Sequence, residues 1–524
     1  MREVLAKLKA LAWFLPGFLL WAAYPPMGEK TDVLFALAPL IWLARQGEAR
    51  TSAMRWLQSG LFYWVATLSW MPAIVKNGGP VFLVVLGWFA LAAYCAAYFA
   101  AYGYLAAKVW AWAKEGGYGR RIFAVFLAEP VLWCGLELVR SRLLGGFSWN
   151  QLGVVAVNGG FGSPAAIGGV YLCSAVVFVI NGSVAGIVER MRRQAPRFAA
   201  VETVLAFGLV WAAFAAGDAM KRTTSETDGK PLKVAMLQRN FPCVFSSARN
   251  EDPYAVYSNL YSRVEALSPD LVVLPESAMC EFGAVDSAAA RGFAEWLTRG
   301  KAALIAGGGR REDGREFNSA AIYSESGLEV YDKVHLVPFG EFIPGDKWIT
   351  SLQALAPVGS CTPGELKPLR FGERLLGVAI CFEDTDSRQM RELARKGAQA
   401  LVFITNDSWF SRSVEARQHA WQAVARAVET GLPVVRVGNS GVTGTITAEG
   451  KVSWLIGKDG KILIDRQGTM FDRLLLADIG AWSVPTVYVL VGDWPLGTLF
   501  VLLISAMILV KYRYEYEKRR KLSV

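Results

Sequence analysis

Three polar residues stand where apolar runs give way, and their types form an acyl-transfer set. They are Glu276 in Pro275-Glu276-Ser277, Lys333 in Tyr331-Asp332-Lys333, and Cys381 in Ile380-Cys381-Phe382-Glu383. A thiol can attack a carbonyl carbon, a carboxylate can take the thiol proton, and a fixed ammonium can hold the developing oxyanion. None of them suffices alone. A free thiol, with a pKa of about 8.5, is mostly protonated at neutral pH, and an ordinary Glu is about four units too weak a base, an uphill transfer of roughly 6 kcal/mol. Burial would raise Glu276, and a nearby Lys333 ammonium would favour the thiolate. Glu341 can orient Lys333 or relay its charge; its other reading is a surface residue after a turn glycine. Glu383 adjoins the nucleophile.

Rival readings use the same stretch. His335 sits two residues from Lys333, so in an extended segment both face one side and a Cys–His dyad is open to it. A structural His bonded to a backbone carbonyl is the simpler reading. His419 opens the apolar Ala420-Trp421 helix and reads as a packed helix-face residue. Gly307-Gly308-Gly309 follows a strand, but no phosphate-loop context follows it, so it reads as a tight strand exit. With only two His and no C-x-x-C pair among seven Cys, three-His zinc sites are excluded and mixed sites lack the usual spacing.

The elements that must position these residues are short apolar runs. They are 233–240, 271–277, 302–309, 319–326, 375–384, 400–410, 433–441 and 474–479, with helix-period stretches at 254–266, 286–299, 386–396 and 415–430. Alternation of this kind predicts an α/β layer architecture over about 230–480. In such sheets functional residues gather just past the carboxyl ends of strands, which is where Glu276, Cys381 and Asn406-Asp407 fall.

The rest of the chain is different. Of 524 residues, 53% are hydrophobic and 19% charged, against about 25% charged in soluble domains, so a membrane is implied. Spans of about 20 apolar residues are predicted near 8–24, 32–44, 55–75, 80–107, 121–139, 166–188, 199–217 and 487–510, about eight in all. The domains follow: 1–220 with seven membrane helices, 230–482 as the globular catalytic domain, and 487–524 as a last helix with a basic tail. The first apolar run has no small-residue cleavage site and reads as a retained helix.

Net charge is +10, yet Lys and Arg collect at the ends of apolar runs and no basic face interleaves with exposed aromatics. Positive-inside topology explains this better than nucleic acid. Arg2, Lys7 and Lys9, Arg45 to Arg55, Lys108 to Arg121, Arg190 to Arg197 and Lys511 to Lys521 fall on one set of connections. Only Lys30, Lys76, Arg140 and Arg142 fall on the other. Both termini are therefore expected in the cytoplasm and the 230–480 domain on the opposite face. The Gly- and aromatic-rich 145–153 reads either as an interfacial belt or as the floor of a lipid-facing site. Trp348, Ile349, Leu352, Leu355 and Ala356 recur at helical spacing, and 340–365 reads either as core packing or as a mobile arm.

These segments resemble bacterial apolipoprotein N-acyltransferases over nearly the whole length. The resemblance is carried by P-E-S at 275–277, K-x-H-L-V-P-F-G-E at 333–341, I-C-F-E at 380–383, T-N-D-S-W-F at 405–410, Phe317-Asn318-Ser319, Gln418-His419, and Arg436 through Gly441. Gly60 to Trp64, Phe147 to Gly153 and Gly168 to Ser174 match in the membrane part. It implies a nitrilase-like αββα sandwich and a Glu276–Lys333–Cys381 triad supported by Glu341, Glu383 and Asn318. It also implies substrate contacts from Phe382, Trp409, Trp348 and Phe245, and no cofactor. The implied reaction is ping-pong at the bacterial inner membrane. Cys381 takes an acyl chain from a phospholipid, typically phosphatidylethanolamine, and passes it to the α-amine of a diacylglyceryl-cysteine on an apolipoprotein. That acceptor suits the chemistry, since an α-amine of pKa about 7.7–8.0 is roughly a tenth unprotonated at neutral pH. Two departures stand out: Phe382 where the family usually has Tyr, and no Trp in the 241–245 loop. The alternatives are a membrane-tethered amidase with the same triad, or a transporter built on intramembrane Glu129 and Glu137.

Overall fold

The computed structural model describes residues 14–522 apart from 29, 193, 195, 225–231, 241–252, 264, 282–301, 326, 345–360, 411–412, 455–477 and 480–484. Contacts divide the chain into two units: 1–69 with 86–219 and 491–524, and 70–85 with 220–490.

In the first unit, five helices among the described residues are long and apolar enough to cross a membrane. They are Val81–Lys114, Tyr118–Arg140, Ala165–Arg192, Arg197–Lys221 and Trp494–Glu517. The sequence predicts about eight, and the structure corrects that count at the amino-terminal end. Among the described residues, the apolar runs near 8–24 and 32–44 contain helices of 8 and 7 residues, Leu15–Ala22 and Ala38–Ala44, and residues 8–13 lie outside the described ones. At about 1.5 Å per residue these cover roughly 10–12 Å of a roughly 30 Å hydrocarbon layer. Pro25-Pro26 and Gly28, with φ of +71°, follow the first of them. Ala49–Thr67 has 19 residues, but Arg50, Arg55, Gln58 and Ser59 make it too polar. The last span begins at Trp494 instead of 487, because Gly492 at φ +69° breaks it from Val487–Val491.

A buried ion pair ties helices together inside this unit. Arg45 and Glu129, each 1% exposed, form an ion pair at 2.6 Å, Trp110 Nε1 also donates to Glu129, and Arg45 Nη1 donates to the Gly182 carbonyl at 2.9 Å. A neutralised pair locked to a backbone carbonyl serves anchoring, which removes Glu129 as support for a transporter. Trp149, Asn150 and Gln151 are buried, and Arg140 Nη1 donates to the carbonyls of Phe147 and Trp149 at 2.8 and 2.9 Å. This stretch is packed inside its unit, not splayed as an interfacial belt.

The second unit contains two mixed sheets. One holds β1 (Leu232–Met236), β2 (Leu271–Val273), β3 (Met279–Glu281), β4 (Ala303–Glu312), β5 (Arg315–Ser324) and β6 (Gly327–Asp332). The other holds β7 (Leu369–Phe371), β8 (Arg374–Ile380), β9 (Ala400–Thr405), β10 (Val434–Gly438), β11 (Gly444–Ile446) and β12 (Val452–Trp454); β13 (Asp478–Ile479) returns to the first. The strand orders are β13-β1-β2-β4-β5-β6, with β3 on β4, and β12-β11-β10-β9-β8-β7. Parallel pairs β1–β2, β2–β4, β8–β9 and β9–β10 form the two centres, flanked by antiparallel hairpins.

Period-two alternation builds the layers. Val234, Leu271, Val273 and Ile305 meet Val378, Ile380, Val402 and Ile404 in one core between the sheets. The alternate residues Val272, Leu274 and Leu304 face outward against Tyr257, Leu260 and Tyr261 of helix Pro253–Ser262. Helices Ser387–Arg395 and Glu415–Thr430 cover the outer side of the second sheet. This is the expected αββα sandwich.

Candidate active site

Each of the three residues sits just beyond a strand's carboxyl end: Glu276 after β2, Lys333 after β6, and Cys381 after β8. The first two belong to one sheet and the third to the other, so the sandwich itself brings them together. Between β2 and β6 lie β4 and β5, and both are adapted. Gly307 is in β4, where a Cβ would stand 2.7 Å from the Glu276 Cα and the Pro275 carbonyl. The triple glycine is therefore not a strand exit; it lies inside β4 and admits the Glu276 backbone. From β5, Asn318 Nδ2 donates to Glu276 Oε1 at 2.8 Å and to Glu341 Oε1 at 2.6 Å.

Lys333 is 1% exposed, with Nζ 2.9 Å from Glu341 Oε1 and 3.9 Å from Glu276 Oε1. Burial alone would lower its pKa, but Glu341, Glu276 and the thiol outweigh it and hold the ammonium charged. Glu341 is fixed in turn by the Val337 N–H at 2.7 Å. Burial pushes Glu276 above the usual carboxylate range, opposed by Lys333 and by hydrogen bonds from Asn318 and the Cys381 thiol.

Cys381 occupies a left-handed conformation, φ +54°, where extended β8 turns into a 3₁₀ helix over Cys381–Thr385. That conformation costs a non-glycine residue on the order of 1 kcal/mol or more. The thiol is half-buried. Burial and the charge of Glu276 push its pKa well up, and Lys333 only partly offsets them. The site rests as a thiol beside a carboxyl whose own affinity for protons has also been raised. Cys361 is half-buried too, its thiol pushed up to about 11 by burial and then Glu341.

Glu383 plays a different part. It is fully buried and accepts from the Tyr331 hydroxyl (2.9 and 3.0 Å), the N–H groups of Val334 (2.7 Å), His335 (3.0 Å) and Ile380 (2.8 Å), and Gln389 Nε2 (2.9 Å). It ties the segment after Lys333 to the residue before Cys381, and so joins the two sheets at the site.

His335 is not a partner of the thiol: its Nδ1 faces Asp386 Oδ2 at 3.8 Å and its ring packs edge-on to Phe382. Phe382 and Trp409 are half-buried, and the Trp409 carbonyl accepts from Asn77 Nδ2 at 2.7 Å. Trp348, Phe245 and most of 340–365 lie outside the described residues, as does Cys243. What sequence reasoning missed is a buried charged group of Asp384, Asp407, Glu415, His419 and Arg436. Asp407 stood out at a strand end and His419 read as a packed helix-face residue, but nothing in their spacing shows that the five side chains meet. The same group contains carboxylates and an imidazole near enough to hold a metal ion, but Arg436 already supplies a cation to Asp407 and Asp384 at 3.3 and 3.6 Å.

One pH dependence follows from this geometry. A base must be ionised, so thioester formation should fall as pH drops through the raised pKa of Glu276. The Asn318 hydrogen bond favours the carboxylate, so Asn318→Leu should move this acid limb to higher pH. Burst-phase acylation measured from pH 5 to 8 checks it; an unmoved limb would mean another group titrates.

Residues 16–183 match the apolipoprotein N-acyltransferase N-terminal domain, and residues 246–482 match the carbon-nitrogen hydrolase family. An apolipoprotein N-acyltransferase of Geobacter metallireducens is 29% identical over 492 residues, covering 90% of this chain and 92% of that protein. One from Pseudomonas paraeruginosa is 32% identical, covering 67% and 69%. A carbon-nitrogen hydrolase structure from Helicobacter pylori aligns with a TM-score of 0.35 at 18% identity, covering 47% of this chain and 89% of that one. Both parts of the chain, the helical one and the one carrying Cys381, thus match in a single continuous relationship, and the chain belongs to the apolipoprotein N-acyltransferase family.

Proposed function

We propose that this acyltransferase moves an acyl chain from a phospholipid, through a thioester on Cys381, to the α-amine of an apolipoprotein's diacylglyceryl-cysteine. The observation that carries the reading is the buried Lys333, held charged between Glu276 and Glu341 beside the thiol. Glu276 takes the Cys381 proton as sulfur attacks the ester carbonyl, and Lys333 holds the oxyanion. The carbon–oxygen bond then breaks, and Glu276 returns the proton to the departing lysophospholipid oxygen. In the second half the amine attacks the thioester, Glu276 takes its proton, and the thiol is restored as the amide forms. Glu341 and Asn318 orient the charged groups, Glu383 positions the two turns, and Phe382 and Trp409 border the substrate, joined by Trp348 and Phe245. Phosphatidylethanolamine is the expected donor.

The domain over 230–482 is the catalytic part, between membrane helices and a last helix with its basic tail. Along the chain, Lys108 to Arg121, Arg190 to Arg197 and the tail Lys511 to Lys521 fall at alternate ends of the long helices. Positive-inside bias at these ends supports a cytoplasmic carboxyl terminus and a periplasmic catalytic domain at the bacterial inner membrane. Donor and acceptor lipids would then share its leaflet.

Incubating the full chain with phospholipid should add one acyl mass on Cys381, lost in Cys381→Ser and kept in Cys361→Ser. An acyl mass mapping to another cysteine overturns the assignment. An acyl-enzyme that hydrolyses at the same rate with or without a diacylated peptide would favour the amidase reading instead.

A further inference from the structure

Behind the nucleophile, His419 of helix Glu415–Thr430 is 2% exposed and surrounded by acceptors. Its Nδ1 lies 2.8 Å from Asp407 Oδ1. Its Nε2 lies 3.3 Å from the Cys381 carbonyl oxygen and 3.0 Å from Asp384 Oδ1. Carboxylate and carbonyl oxygens cannot donate, so a proton belongs on each ring nitrogen. We infer that His419 is a buried imidazolium that fixes the Cys381 turn: a positioning residue that clamps the nucleophile's own carbonyl to the second sheet.

The surroundings are built for that charge. Asp384 follows β8, Asp407 follows β9, and Arg436 comes from β10, its Nη2 3.3 Å from Asp407 Oδ2. Two carboxylates thus face two cations. Burial and the neighbouring Asp407 raise Glu415, 3.5 Å from Nδ1. Asp407 is held ionised: His419 and Arg436 outweigh its burial. Burial alone would neutralise the imidazole, but Asp384 and Asp407 raise His419 to about 10. The site is also sterically committed, since a Cβ at Gly441, φ +88°, would stand 2.1 Å from Asp407 Oδ2. The turn needs such a clamp because Cys381 sits at φ +54°. Holding its carbonyl fixes the planar peptide that follows, and with it the direction from which sulfur meets the ester.

The inference rests on Cys381 being the nucleophile, which acyl mass on the parent enzyme tests by itself. The further test is the alkaline side of the acylation rate, using the full chain in detergent–phospholipid micelles from pH 6 to 9.5. The sign is fixed by a raised pKa: the contact persists while the imidazole is protonated and is lost as pH rises through that value. The parent should show no alkaline decline in this range. Asp407→Asn keeps an acceptor for Nδ1 but removes a charge, so the rate should fall with a new inflection below pH 9. Asp407→Asn combined with His419→Gln should have no such inflection, because the titrating group is gone. His419→Gln alone should acylate at least tenfold more slowly at every pH. An Asp407→Asn profile like the parent's, an inflection that survives in the double variant, or His419→Gln within twofold of the parent would overturn the inference. Should His419→Gln not fold, the Asp407→Asn profile decides alone.

Discussion

Lys333→Arg should lose thioester formation by about 10²- to 10³-fold, although the positive charge is kept. That is the scale of removing one preorganised oxyanion donor. The ammonium is 1% exposed, 2.9 Å from Glu341 and 3.9 Å from Glu276, with Asn318 closing the same carboxylates from β5. A guanidinium is planar and needs in-plane partners, so it cannot occupy a point-charge socket without displacing one carboxylate. Lys333→Met should be worse in a second way. It leaves two carboxylates facing each other, and breaking a buried pair costs about 3–5 kcal/mol. The measurement is single-turnover acylation with a melting curve on the same sample. Lys333→Arg acylating within a few-fold of the parent would remove the oxyanion role.

Glu383→Gln should unfold the catalytic unit at much lower temperature, by an effect above about 3 kcal/mol. Three backbone N–H groups, a phenol and an amide all point at this one carboxylate. A Gln offers one oxygen and turns N–H donors against donors, and each unmet buried group costs roughly 1–3 kcal/mol. Tyr331→Phe removes one donor only and should cost about 1 kcal/mol. Activity of Glu383→Gln measured in the cold should follow the folded fraction. If that variant melts like the parent yet forms no thioester, Glu383 acts on the reacting atoms and its positioning role is wrong.

These two residues show how much of the site was readable in the chain. Glu276, Lys333 and Cys381 stood out because each is a reactive polar group at the end of an apolar run, and strand ends are where α/β folds place chemistry. The division of labour was not readable. Glu383 adjoins the nucleophile and invites a catalytic role, but its partners are N–H and O–H donors from β6, the segment after it, β8 and the next helix. Only their convergence shows that it holds the turns. The balance of charges was equally hidden: that Glu276 outweighs Lys333 at the thiol depends on where each side chain lies, and nothing in the spacing encodes it.

His335 and His419 trade places for the same reason. By sequence, His335 neighbours Lys333 and His419 heads an apolar helix. In the fold, His335 turns to Asp386, whereas the helix Glu415–Thr430 swings His419 under Cys381.

By itself the sequence determined an α/β layer architecture, because short apolar runs alternate with helix-period stretches; the αββα sandwich was what its family resemblance implied. It marked Glu276, Lys333 and Cys381 as candidates, and it showed that the chain carries long apolar segments suited to a membrane. The number of long membrane helices was decided only by structure: apolar composition is local, but Pro25-Pro26, Gly28 and Gly492 break helices whose residues are apolar enough. The supporting network was decided there too. A buried ion pair or imidazolium is stable only when its partners arrive from different strands, and that meeting belongs to the fold rather than to any one segment.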